Sequence, residues 1–216
     1  MKNLLNQTEI LKKSFYNKLE SVEKKAWVDI FKSASPKTAG SLGLKYRSLS
    51  SAELTITASA DVLALNRVLG FESENEITNE LLTEIIKEFK NSGVPRFFLQ
   101  VQPELLTEIN LKKLNFFGFT HYNNWSKLYR NDSPVKEIKS DLIIDQIGKP
   151  GAKHFAEILI KSFEWDEKLY PWFFDFVQRD NWIHYLGYFK NDPVAAASLY
   201  IDGEFGWLGF AATLKT

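Results

Sequence analysis

Cysteine is absent from the 216-residue sequence. That excludes disulfides, thiolate nucleophiles and Cys-ligated metals, and it fits a reducing compartment. Net charge is also absent: 27 Lys and Arg offset 27 Asp and Glu. A nucleic-acid binder draws affinity from a basic excess or stripe, and neither is present, so no nucleic-acid partner is expected. The N-terminal MKNLLNQTEILKK lacks an apolar run long enough for a signal peptide, and no later window is apolar for a bilayer's length. The expectation is a cytoplasmic protein without a membrane partner. His121, His154 and His184 stand on three different predicted elements, and no pair has helical ligand spacing, so no metal site is expected. Gly-x-Ser-x-Gly, Walker and dinucleotide-binding motifs do not occur.

Aromatic residues, in contrast, are plentiful: 17 Phe, 8 Tyr and 6 Trp. With 44% hydrophobic and 25% charged residues, the composition is that of a globular protein with a substantial core. The length suits one large domain or two small ones. From Thr8 to Ser33, Leu11, Phe15, Leu19, Val22, Ala26 and Ile30 recur at helical steps. Lys12, Lys13, Glu20, Glu23, Lys24 and Lys25 cover the opposite side, and Ser35-Pro36 ends the helix. Thr38 to Ser51 reads as loop. Leu54 to Ala58 alternates like a half-buried strand, and Asn66 to Gly70 is a second extended piece. A helix carrying Ile77, Leu82, Ile85 and Phe89 follows, then a buried strand at Arg96–Val101 between two prolines. Glu104 to Asn115 reads as a helix with Leu105, Ile109 and Leu114 inward, and Phe116–Phe119 leads into a strand ending near Arg130.

The polar, Pro-containing stretch Asn131–Ser140 is the predicted internal boundary, giving domains at residues 1–132 and 138–216. Beyond it come a strand at Leu142–Ile147 and a turn at Gly148–Gly151. A helix bearing Phe155, Ile158, Leu159 and Phe163 follows, then a second helix begun by Pro171. Three extended segments, Ile183–Phe189, Val194–Ile201 and Phe205–Leu214, are joined by Asn191-Asp192 and Asp202-Gly203 hairpin signals. The expected fold class is α/β (α+β), with a mixed, mostly antiparallel sheet flanked by helices in each half.

One strand, two helices and a three-strand meander form the opening order of the GNAT (Gcn5-related) N-acetyltransferase fold. The second half resembles it through His184–Phe189, Pro193–Tyr200 and Gly206–Leu214. The first half is similar to the closing part of that fold: helix Ile77–Phe89, strand Arg96–Val101, helix Glu104–Asn115, then Leu114-Asn115-Phe116-Phe117-Gly118-Phe119. The resemblance implies acetyl-CoA as cofactor and transfer of its acetyl group to a small-molecule or peptide amine. It assigns the pantetheine arm to the backbone of Ala211, Ala212, Thr213 and Leu214. The family's Arg/Gln-x-x-Gly-x-Gly turn, whose N–H groups hold the pyrophosphate, would follow Leu214. Here Lys215-Thr216 follow, which reads as a truncated form or a piece of a longer tandem protein.

The corresponding turn of the first half, Gly70–Glu76, carries three carboxylates hostile to a polyphosphate. They read instead as favourable charge at a helix start. The two halves are complementary, and a composite sheet with Phe205–Leu214 near Arg96–Val101 is expected. Acetyl transfer needs a base for the amine proton and a donor for the leaving thiolate. Glu204, Tyr200 and Tyr188 have the right chemistry, but a turn carboxylate and strand aromatics equally suit solvent and core, so no catalytic residue is assigned. Trp165, Tyr170, Trp172, Phe173, Phe174 and Phe176 form an aromatic group that borders the acceptor site by resemblance, or makes core and interface. Apolar surface left bare by an incomplete fold would favour a homodimer, and a non-catalytic module for protein association is the alternative function.

Overall fold

A computed structural model describes residues 2–136 and 138–215, with side chains from Ser14 onward. The side chains of the expected stripe residue Leu11 and of Lys12 and Lys13, together with residues Met1, Glu137 and Thr216, lie outside what is described. The architecture is mixed α+β, with two four-stranded, mostly antiparallel sheets flanked by helices.

Helix α1 spans Lys2–Lys32. Val22, Ala26 and Ile30 are buried, as the spacing predicts, but so are Phe31, Glu23 and Asp29. The reason is position: α1 touches the first sheet through β1 (Leu44–Leu49) and β2 (Ala52–Thr57), and the second through β8 (Phe205–Thr213). A helix covered on two sides buries some of its polar positions. The segment expected as loop after Ser35 folds into α2 (Pro36–Leu42) and β1. Ser35 caps α2 through the Thr38 N–H, Pro36 fills its first turn, and Gly43 ends it at φ 59. A Cβ on Gly43 would lie 2.7 Å from that of Ala58.

The first sheet has the order β1-β2-β3-β4, with β3 at Arg67–Leu69 and β4 at Phe98–Leu99. β1 to β3 form an antiparallel meander, and α3 (Asn79–Asn91) carries the chain to β4, parallel to β3. Leu82, Ile85 and Phe89 of α3 cluster with Leu54, Ile56 and Val68, while Leu65 and Leu69 join the α1 core. The predicted strand at Arg96–Val101 shrinks to two residues. Helix α4 (Glu108–Phe116) is shorter than predicted, and Ile109 is exposed rather than inward. Among the described residues no strand follows Gly118 before residue 143. Residues 119–136 and 138–142 run as an irregular strap, and the two-residue β4 offers little free edge to pair with. Tyr129 meets Phe15 with ring centroids 5.2 Å apart, and Lys127 pairs with Glu20 and Glu23, tying the strap to α1.

In the second sheet β5 (Ile143–Ile147) is followed by α5 (Ala152–Ser162) and α6 (Tyr170–Phe176), then β6 (Trp182–Phe189), β7 (Asp192–Asp202) and β8. All pairings are antiparallel, in the order β5-β6-β7-β8. The expectation of one composite sheet is overturned: β8 pairs with β7 and β4 with β3, in separate sheets. α1 stands between them and joins the core of the second half, where it meets Phe155, Trp172, Phe173, Phe176 and Phe210. No helix among the described residues is long and apolar enough to cross a membrane.

Candidate functional site

Ala211, Ala212, Thr213 and Leu214 form the far end of β8 and its continuation. β8 is an edge strand, so one row of its backbone groups has no neighbour in the sheet. The Leu214 N–H donates to the Val194 carbonyl at 2.8 Å. Ladder alternation then turns the N–H and C=O of Thr213, opposite Ala195, to the outer edge. Of the four residues named from the sequence, Thr213 therefore has both backbone groups aimed outward, and Leu214 has its N–H already spent.

A bulge separates this end from the rest of the strand. Ala196 opposes Ala212 and Ser198 opposes Gly209, so Phe210 and Ala211 together face Ala197. Phe210 takes φ 53, the left-handed region a bulky residue normally avoids. What holds it there is packing: its ring lies 5.6 Å from those of Phe173 and Phe176 and 5.9 Å from Trp27. Of the aromatic group read from the sequence, Trp172, Phe173 and Phe176 are core, while Trp165, Tyr170 and Phe174 are half-buried against it. Trp172 and Phe173 are fully buried, and the Trp172 indole donates to the Ile30 carbonyl.

The catalytic candidates do not converge on Thr213. Glu204 is exposed in the β7–β8 turn, nine residues away along an extended strand, more than about 25 Å off. Tyr200 is buried against Trp182, ring centroids 5.0 Å apart; burial and the carboxylates of Asp29 and Asp202 push its phenol up, outweighing Arg179 and Asn181. Tyr188, opposite Pro193 on β6, stands at the Leu214 end with only β7 between, roughly 10 Å away. Of the three it alone is near. His184 is 1% exposed, with Nδ1 2.9 Å from Ser198 Oγ and Nε2 beside the Phe176 backbone without a well-aligned hydrogen bond. Burial pushes its pKa down to about 4, although the Phe176 carbonyl acts the other way. His121 meets Asn124 at the surface, and His154 meets Glu157. Among the described residues no cluster of His, Asp and Glu has the form of a metal site.

The first-half turn, Gly70–Glu76, is occupied by its own chain. One oxygen of Glu76 accepts the Glu72 N–H at 2.8 Å, the Ser73 N–H at 3.2 Å and the Ser51 hydroxyl. Burial raises the Glu76 carboxyl, but the Ser51, Glu72 and Ser73 donors and the Lys24 ammonium outweigh it and hold it below the usual range. Lys24 also packs against Gly70, where a Cβ would lie 2.3 Å from its Cδ, and pairs with Glu72. The three carboxylates read from the sequence as helix-start charges therefore include one that consumes the local N–H donors.

Two polar clusters had no signal in the sequence, because each draws single residues from distant elements. Asp29 of α1 accepts from Arg179 and from the Trp182 indole at 2.9 Å, fastening α1 to the second half. Arg67 of β3 is 2% exposed, its guanidinium 3.8 Å from the Trp27 ring and 5.3 Å from that of Trp125 on the strap. Burial pulls Arg67 down to about 10 against the opposing pull of Glu23. Two surface concavities of ligand size, about 470 and 610 Å³, lie beside Lys24 and Glu72 and beside Arg47 and Glu84, not along β8. No protein-family profile matches the chain, and no curated protein matches it significantly.

Proposed function

We propose that the chain is an acyl-CoA-dependent N-acetyltransferase-like protein of the GNAT class, with acetyl-CoA as donor and an amine as acceptor. The observation that carries this reading is the order strand, two helices, three-strand meander in β5 to β8, ending on an open edge with Thr213 turned outward. The first half adds support: a meander, a turn, α3 and a parallel strand repeat the later part of the same plan. On this reading the amide groups of the pantetheine arm pair with Thr213 as an added strand pairs with a sheet edge. The amine attacks the thioester carbonyl, the C–S bond breaks, and the thiolate collects a proton. Tyr188 is the candidate nearest that end.

A second reading, a non-catalytic module for protein association, is favoured by Glu76, which fills the N–H donors of the first-half turn, and by the distance of Glu204. Thermal unfolding with acetyl-CoA separates the two. At a hundred times its dissociation constant a ligand stabilises by about 2.7 kcal/mol, which for a chain of this size raises Tm by roughly 5–10 °C. No rise at millimolar acetyl-CoA selects the association module.

A further inference from the structure

The strap lies along α1 in a definite register. Tyr129 meets Phe15 and Tyr16, ring centroids 5.2 and 6.4 Å apart. Lys127 pairs with both Glu20 and Glu23. Trp125 stands over the Arg67 guanidinium, which also stacks on Trp27. The partners on α1 fall in the reverse order, so strap and helix run antiparallel. From Tyr16 to Trp27 the helix rises about 16 Å, and an extended chain from Trp125 to Tyr129 spans about 13 Å. Alternate residues of the strap therefore face α1, while Ser126 and Leu128 between them point to solvent, Leu128 at 96% exposure.

The groove is more firmly built than its cover. Glu23 is buried and accepts from the Gln100 amide at 3.2 Å, and the buried Arg67 donates its Nε–H to the Ala64 carbonyl at 2.8 Å. Trp125 and Tyr129, in contrast, are 58% and 62% exposed. Among the described residues, no backbone hydrogen bond joins residues 120–136 to another backbone group. The strap also leaves Arg67 Nη2 and Trp27 Nε1 buried without a hydrogen-bond partner, so it fills the groove without completing its polar contacts. A segment held by side chains alone opens at low cost.

We propose that this stripe of α1, with Arg67 beside it, is a docking groove for an extended segment of a partner protein, and that the strap is its autoinhibitory occupant. The strap shows what the groove accepts: a lysine, seated on two carboxylates one helical turn apart, with an aromatic residue two positions to either side. A partner segment of that pattern binds by taking the strap's place. The inference does not rest on acetyl transfer, and its test involves no acetyl-CoA.

The probe is a free, fluorescently labelled peptide with the sequence of residues 122–131, titrated with the full chain and followed by anisotropy. In the triple variant Trp125→Ala, Lys127→Ala, Tyr129→Ala the strap loses its anchors. That released chain is expected to keep its far-UV spectrum and a Tm within about 5 °C of wild type. It is expected to bind the peptide at least about 10-fold more tightly than the wild type, whose own strap keeps the groove filled. Lys127→Glu in the peptide, or Glu20→Lys in the released chain, is expected to weaken binding at least about 10-fold. A released chain that unfolds or loses more Tm than this makes the strap part of the fold and overturns the proposal. So does a peptide that binds the released chain no more tightly than the wild type, or binding that survives both charge reversals.

Discussion

Lowering the pH should destabilise this protein through His184, over a range that starts above that of its hydrogen-bonded carboxylates such as Glu76. Its imidazole is enclosed by Phe155, Phe176 and Trp182, ring centroids at 4.9, 4.7 and 6.1 Å, and its Nδ1 is matched to the Ser198 hydroxyl. Charging it there means placing a cation among rings with no carboxylate partner, so its pKa falls from 6.5 to about 4. The unfolded chain takes up the proton near pH 6.5, while the folded chain does so only near 4. Between those values the unfolded state holds more protons. The contribution of neutral His184 is therefore complete above about pH 6.5 and drains as pH falls toward 4. Linkage sets the slope at no more than about 1.4 kcal/mol per pH unit, a loss on the order of 2 to 3 kcal/mol as the pH falls from 6.5 to 4. Domains are held by only about 5–15 kcal/mol, so the loss is easily read. Urea unfolding of wild type and His184→Gln between pH 7.5 and 4.5 should show stability falling faster in the wild type. Should the variant not fold, NMR titration of the wild-type ring should give a midpoint near 4. Parallel pH profiles for the two proteins, or a ring titrating near 6.5, would refute the reasoning.

Phe210→Ala removes a ring at the centre of the aromatic core and should cost about 3–5 kcal/mol. Phe210→Gly should be the more stable of the two by about 1 kcal/mol, reversing the usual order, because only glycine is relaxed at φ 53; chemical denaturation of both decides it. Glu76→Ala should cost about 1–2 kcal/mol by stripping the capping box around Ser73. Amide exchange at Glu72 and Ser73 should quicken, and unchanged exchange at both would show that the carboxylate does not hold them.

Segments whose own pattern determines their state were legible in the sequence. α3 and the β6 to β8 meander appear close to where their apolar spacing and hairpin residues put them. β1 was not legible: Leu44 to Leu49 is mostly exposed and owes its state to six paired residues of β2. α2 was hidden by Gly40 and Ser41, poor helix formers carried by Ser35, Pro36 and the Gly43 cap. The expected strand after Gly118 failed for the converse reason, since an extended apolar segment needs a neighbouring edge as well as suitable residues. At the candidate site, the β8 end could be located from residue order, but which of its amides faces outward depends on the bulge at Phe210. The burial of Glu23 and Asp29 likewise depends on α1 lying between two sheets, a long-range arrangement that no local window contains.

The account rests most directly on the outer edge of β8, and amide-resolved NMR titration of the chain with acetyl-CoA tests it. The prediction is saturable shifts centred on Thr213 and its neighbours Ala211 and Ala212, with Gly70–Glu76 unmoved. Shifts confined to other elements, or none at millimolar acetyl-CoA, would contradict it.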